Sequence, residues 1–149
     1  MKGFPDLPPL WLALFMALGW GLARFLPVAG APDPVLHRLG LLVACVGLGF
    51  IAWAALWFWK KKTTIEPHHA PETLIVEGPY RISRNPIYLG MVLILSGQVL
   101  WQGMLSPAVL IPLHVAVLTV RFILPEEAAL VRAFGEEGER YLAGTRRWL

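Results

Sequence analysis

The sequence predicts an all-α integral membrane bundle of about four transmembrane helices, with the third and fourth as a tight hairpin and a short cytoplasmic helix at the C-terminus. Two observations lead to this prediction. Of the 149 residues, 56% are hydrophobic and only 15% are charged, which is too apolar for an ordinary soluble domain. The apolar residues also fall into four runs, each close to the roughly 20 residues that a helix needs to cross a bilayer.

The four runs define a single membrane domain that covers residues 1–149. The predicted spans are residues 8–26, 36–59, 87–104 and 108–124. A loop rich in proline and glycine separates the first two spans, and Ser106-Pro107 makes a tight turn between the last two. The remaining segments, 60–86 and 125–149, are polar and are expected to form the site.

Small residues predict how two of the spans pack. Gly40 and Gly47 are seven residues apart in the second span, and Gly90 and Gly97 are seven apart in the third. Residues at this spacing lie near one face of a helix, and small residues let helices approach closely in a bilayer. We therefore expect each pair to mark a contact face.

The basic residues predict the topology. The triplet Lys60-Lys61-Lys62 ends the second span, and Arg81 and Arg84 lie in the same loop. The positive-inside rule places this loop in the cytoplasm, and an even number of spans then places both termini there. We expect an integral protein of a prokaryotic inner membrane with a cytoplasmic active site. The net charge of +3 is explained by this topology, so no nucleic-acid partner is expected.

The polar segment from Leu74 to Gly90 holds most of the residues capable of chemistry. Within it, Asn85 and Pro86 have the pattern of an N-cap followed by proline at the first helical position. A second polar island, Pro125-Glu126-Glu127, follows the fourth span and begins an amphipathic pattern that ends at Gly135.

The two polar segments together resemble the isoprenylcysteine carboxyl methyltransferase and phospholipid methyltransferase superfamily of integral membrane enzymes. The resemblance covers roughly residues 72–149 and rests on an ordered set of residues: Gly78, Tyr80, Arg84, Pro86, Tyr88 and Gly90, then Glu126, Glu127, Leu130, Phe134 and Gly135. Three positions depart from the pattern. Asn85 replaces the histidine of an Arg-His-Pro motif, Glu72 stands where the carboxyl methyltransferases usually have histidine, and Gly138 replaces an aromatic residue. Because asparagine does not titrate, a general base at position 85 is excluded.

The resemblance implies methyl transfer from S-adenosyl-L-methionine to a small or lipophilic acceptor at the cytoplasmic membrane face, in the manner of the isoprenylcysteine carboxyl O-methyltransferases. The alternatives are a phospholipid or amine N-methyltransferase and a noncatalytic membrane module. The implied catalytic residues are Arg84 and Glu127, and Arg121 is the candidate for substrate binding. The implied cofactor-binding residues are Leu74, Ile75, Gly78, Tyr80, Asn85, Pro86, Tyr88, Leu89 and Glu126. Membrane lipids and the lipophilic acceptor are the expected partners, and the oligomeric state is left open.

Each of these residues also has a purely structural interpretation. Asn85-Pro86 and Pro125-Glu126-Glu127 are ordinary ways to begin a helix, and Arg121 can reach lipid phosphates from its span. Tyr141 and Trp148 in the C-terminal tail, residues 136–149, are able to rest at the headgroups. His114 is expected in the bundle interior with its hydrogen bonds satisfied, and it has no convincing spacing with His68 or His69 for a metal site.

Overall fold

The computed structural model describes residues 6–28, 30, 33–61 and 74–149. Within these residues the chain is helical and contains no strand, which confirms the predicted all-α class. The helices are α1 (Pro8–Phe25), α2 (Pro34–Lys61), α3 (Pro86–Gln102), α4 (Leu110–Leu118), α5 (Leu124–Phe134) and α6 (Glu136–Gly144). A 3₁₀ turn at Gly78–Arg81 precedes α3, a second at Ser106–Val109 precedes α4, and a π-helical turn at Thr119–Ile123 joins α4 to α5.

Three helical segments are long and apolar enough to cross a membrane: Pro8–Phe25, Pro34–Lys61 and Ser106–Phe134. The fourth predicted span corresponds to α3, which is a shorter apolar helix of 17 residues. At 1.5 Å per residue it is about 26 Å long, slightly less than the roughly 30 Å of a hydrocarbon core. Helix α3 packs against α1, α2 and α4, so the bundle is built around it, and its role as a fourth span stays a prediction.

The contact between α2 and α3 is made by the four glycines identified in the sequence. A Cβ atom on Gly40 would lie 2.5 Å from the carbonyl oxygen of Gly97, and one on Gly47 would lie 2.6 Å from the carbonyl oxygen of Gly90. The reverse contacts are equally short, since a Cβ on Gly90 or Gly97 would meet the facing glycine oxygen at 2.6 Å. The predicted contact faces are therefore confirmed, and they face each other with the helices antiparallel.

Helix α1 is held against α3 by a polar contact inside the apolar bundle. The side-chain amide of Gln98 donates a 2.8 Å hydrogen bond to the carbonyl oxygen of Met16. His114 of α4 is fully buried, and its ring centroid lies 4.8 Å from that of Phe15. Its interior position agrees with the sequence prediction, but the prediction that its hydrogen bonds are satisfied is not met within the described part of the chain. Among the described residues, neither of its ring nitrogens has a hydrogen-bond partner.

The predicted short helix beginning at Glu126 is wrong in its start, because the helix runs without a break from α4 through α5. Pro125 has no N–H to donate to the helix. Just before it the chain makes a wider π-helical turn, in which the Leu124 N–H bonds to the Thr119 carbonyl, and this turn lets the helix continue past the proline. The helix ends before Gly135, as predicted, where φ is +54°.

Helix α6 is a second C-terminal helix that the sequence analysis did not predict. It folds back on α5 at Gly138, where a Cβ would lie 2.9 Å from the carbonyl oxygen of Leu130. The glycine that stands in place of an aromatic residue therefore permits close packing of α6 on α5.

Replacement of Gly47 by alanine is expected to destabilise the bundle, because the new methyl group meets backbone rather than a movable side chain. Overpacking of this kind typically costs about 1–3 kcal/mol. Gly49→Ala is the matched control, since Gly49 lies in the same helix with nothing within 4 Å of its Cβ position. Thermal unfolding of the detergent-purified proteins measures the difference. Equal unfolding midpoints for Gly47→Ala and Gly49→Ala would contradict this expectation, because α2 and α3 would then accommodate the new methyl group without loss of stability.

Candidate active site

The candidate site lies at the end of the bundle where α3 begins and the α4–α5 helix leaves the apolar core. Asn85 is the N-cap of α3 and Pro86 is its first residue, as predicted. The Asn85 carbonyl accepts the N–H of Leu89 at 2.9 Å, but the Asn85 side chain makes no capping bond. Its amide nitrogen instead donates to the carbonyl oxygen of Arg147 at 3.0 Å. Helix capping therefore explains the backbone contact of Asn85. It does not explain the side chain, which contacts the C-terminal tail at the candidate site instead.

Glu126 is joined to α3 by a short hydrogen bond. The Tyr88 hydroxyl donates to the Glu126 carboxylate at 2.5 Å. The Tyr88 side chain is buried, and its ring lies 6.2 Å from that of Phe122. Because Glu126 lies inside a continuous helix rather than at a free helix start, its carboxylate is not an N-terminal cap.

Glu127 lies between two arginines. The Arg147 guanidinium donates to both carboxylate oxygens, with Nε at 2.9 Å and Nη2 at 2.7 Å. Arg84 approaches the same carboxylate through Nη1 at 3.4 Å. The Arg84 and Glu127 side chains are only 13% and 12% exposed, whereas the Arg147 side chain is 37% exposed, so the carboxylate is shielded from water while the outer guanidinium meets it. The paired carboxylate holds Arg147 charged and raises the pKa of its guanidinium.

The C-terminal tail covers the loop before α3. The Arg84 N–H donates to the Arg146 carbonyl at 2.9 Å, and the Ser83 hydroxyl donates to the Arg147 carbonyl at 3.2 Å. Trp148 packs against the apolar cluster that includes Tyr88. This contact brings Trp148 to the candidate site, and its position at the headgroups stays a prediction.

Tyr141 also contacts the loop before α3, and its position at the headgroups stays a prediction. Its hydroxyl donates to the Tyr80 carbonyl at 3.1 Å. Sequence reasoning missed Ser83, Tyr141, Arg147 and Trp148 as site residues. A basic and aromatic tail has the same composition whether it anchors to lipid or covers a site, so no local signal distinguishes the two.

An apolar wall flanks the polar cluster. Tyr80 and Ile75 are buried against Ala54 near the end of α2, and the ring of Phe58 meets that of Tyr80 edge-on at 5.9 Å. Burial raises the pKa of Tyr80 well above its ordinary value, and the neighbouring Tyr141 and Glu126 add to this effect. Tyr80 therefore stays protonated at physiological pH. Leu89 is also buried, and Leu74 is half-buried.

Gly78 is required by the local backbone. Its φ is +60°, in the left-handed region, and a Cβ there would overlap the indole of Trp57. The structure therefore explains this glycine by packing, while its predicted contact with cofactor stays a prediction.

Arg121 lies apart from the polar cluster. It forms a 2.8 Å ion pair with Asp6, and its guanidinium lies 5.3 Å from the ring centroid of Trp11. The Trp11 indole also donates to Asp6 at 2.9 Å. Arg121 thus fastens the segment before α1 to the π-helical turn, and its predicted role in substrate binding has no support from these contacts.

The described part of the chain contains no group of three or more His, Cys, Asp and Glu residues that could hold a metal ion. Glu72, His68 and His69 lie outside the described residues.

Comparison with known proteins gives one match. The family model for phospholipid methyltransferase matches residues 35–137, which is most of the chain. The matched range begins in α2 and ends in α6, so it contains both carboxylates of the site but not the C-terminal tail. Neither a curated protein nor a solved structure matches the chain.

Alkaline pH is expected to weaken the contact between Tyr141 and Tyr80. Burial raises the pKa of Tyr141 to about 12, although Arg84 acts in the opposite direction, whereas a tyrosine in the unfolded chain titrates near 10. The stabilisation is fully present below about pH 10 and is lost as the pH rises to about 12, because only the unfolded state releases the proton in that window.

Thermal unfolding of wild type and Tyr141→Phe between pH 8 and pH 12 tests this expectation. The stability advantage of wild type should be constant below about pH 10 and shrink above it. Lysine titration is common to both proteins and cancels in the difference. A difference that stays constant to pH 12 would place the Tyr141 hydroxyl in water.

Proposed function

Because the chain belongs to the phospholipid methyltransferase family, within the superfamily of isoprenylcysteine carboxyl and phospholipid methyltransferases of membranes, we propose that it transfers a methyl group from S-adenosylmethionine to a small or lipophilic acceptor. The family and the apolar helices together describe an integral membrane methyltransferase. The reaction is proposed to occur at the cytoplasmic face, where the positive-inside rule predicts the basic loop and tail.

The observation that most supports this proposal is the shielded cluster of Glu126, Glu127 and Arg84 beside an apolar wall. S-adenosylmethionine carries an ammonium, a carboxylate and an adenosine, so its binding requires an acid, a cationic donor and an apolar surface. The Arg84 Nε atom is buried and has no partner among the described residues, so it is free to donate to the carboxylate of the methyl donor. Glu126 would accept from the ammonium or the ribose, and Ile75 and Tyr80 would line the adenine.

When bound, S-adenosylmethionine supplies an electrophilic methyl group on a sulfonium sulfur. The contribution of the protein is to align the reactants and exclude water. The Tyr88 hydroxyl fixes the Glu126 carboxylate, and both Glu127 oxygens accept hydrogen bonds from Arg147. Because its oxygens are held by the guanidinium groups of Arg147 and Arg84, Glu127 is better suited to orienting these arginines than to removing a proton from a substrate.

Carboxylate methylation is the acceptor chemistry that this geometry favours. A carboxylate attacks a methyl group without losing a proton, so the site needs no base at Asn85. A lipophilic acceptor would enter from the bilayer, because the site adjoins the end of the apolar bundle.

Methylation of a lipid amine headgroup is the second candidate, and the matched family model favours it. An amine must lose a proton before it attacks, so this chemistry requires a base near the acceptor. Glu126, with its single protein hydrogen bond from Tyr88, is the carboxylate better placed for that role.

Calorimetric titration of the detergent-purified protein with S-adenosylmethionine and its demethylated product tests the proposed donor site. Arg84→Ala and Glu126→Gln should each weaken binding about tenfold or more, because a hydrogen bond to a charged group contributes about 1.5–3 kcal/mol. Both variants should unfold at nearly the wild-type temperature.

Matched controls are available on neighbouring elements. Arg81→Ala and Glu137→Gln remove equal charges from exposed positions and should leave binding unchanged. A well-folded wild type that binds neither ligand would contradict the proposal and favour a noncatalytic membrane module.

A further inference from the structure

Arg147 contacts the site through both its backbone and its side chain. Its carbonyl oxygen accepts hydrogen bonds from the Asn85 amide at 3.0 Å and the Ser83 hydroxyl at 3.2 Å. Its guanidinium holds the Glu127 carboxylate with two hydrogen bonds. Arg147 lies beyond the range matched by the family model, which ends at residue 137.

The two arginines share Glu127 unequally. Arg147 makes the two-pronged contact at 2.9 Å and 2.7 Å, whereas Arg84 makes a single contact at 3.4 Å. Glu127 balances only one of the two guanidinium groups that contact it, which leaves a surplus of positive charge on these three side chains. That surplus falls on Arg84, whose Nε atom is buried without a partner among the described residues.

We propose that Arg147 is a positioning residue for the methyl-donor site: by neutralising Glu127, it leaves Arg84 free to bind the carboxylate of the donor. This inference rests on the proposed function. Without Arg147, Glu127 would keep Arg84 as its remaining counter-charge in a site where the carboxylate is only 12% exposed. Because an unpaired carboxylate is costly in such surroundings, Arg84 would turn fully toward Glu127 and its donors would be lost to the ligand.

The tail backbone makes this proposal testable by side-chain truncation. The bonds from Ser83, Arg84 and Asn85 all end on carbonyl oxygens of the tail. Arg147→Ala keeps these carbonyls and removes only the guanidinium. The tail should therefore stay in place in the variant, and its unfolding temperature reports whether it does.

The experiment is a double-mutant cycle on ligand binding, with S-adenosylhomocysteine as the probe because it carries the carboxylate but no transferable methyl group. Arg147→Ala should raise the Kd about tenfold in the otherwise wild-type protein, within the range of coupling between contacting charged residues. In a Glu127→Gln background the same change should have little effect, because no carboxylate is left to draw Arg84 away. Arg147→Lys should retain part of the affinity, and Arg132→Ala, an exposed arginine on α5, should retain all of it.

A second probe separates positioning from general damage to the site. Methylthioadenosine lacks the amino-acid portion of the ligand, so Arg147→Ala should leave its affinity unchanged. Equal losses for both probes, or an equal loss with and without Glu127, would overturn the inference while leaving the proposed function intact. Unchanged binding of S-adenosylhomocysteine to Arg147→Ala would also overturn the inference and leave the proposed function intact. A folded wild type that binds neither probe would overturn the inference and the proposed function together.

Discussion

The close approach of α2 and α3 is the constraint on which the rest of the structure depends. Gly40 and Gly47 meet Gly97 and Gly90 at backbone contact, and no side chain separates the two helices there. In a bilayer, where lipid is as apolar as the helix surface, such packing takes the place of the hydrophobic effect as the source of association. Helix α3 is thereby fixed at the centre of the bundle, and this also fixes the loop that leads into its first residue and belongs to the candidate site.

The site is assembled at the point where this fixed helix meets the continuous α4–α5 helix. The π-helical turn at Thr119–Ile123 lets the chain pass Pro125 without stopping. As a result, Glu126 reaches Tyr88 and Glu127 reaches Arg84. Shielded carboxylates are stable only when paired and hydrogen-bonded. The tail supplies the missing partner through Arg147, so the charge balance of the site depends on a residue 20 positions along the chain from Glu127.

The sequence predicted much of this arrangement, for identifiable reasons. Gly40 and Gly47 were placed on a contact face because helical periodicity and residue size are local properties. Asn85 and Pro86 were placed at the start of α3 for the same reason, and the structure confirms both positions. The start of the helix at Glu126 was wrong, because proline followed by acids usually begins a helix, and a π-helical turn before proline has no clear local signature.

Hydropathy, periodicity and motif spacing are properties of neighbouring residues, so they are enough to predict the all-helical membrane class, the contact faces of α2 and α3, and the polar segments that hold the candidate site. The pairing of the polar groups, in contrast, follows from the folded arrangement of the helices. Tyr88 with Glu126, Arg147 with Glu127, and Arg121 with Asp6 are contacts between residues 38, 20 and 115 positions apart. The partner of a charged side chain depends on burial and distance in the folded protein. From its sequence context alone, the same arginine can pair with a lipid phosphate or with a carboxylate.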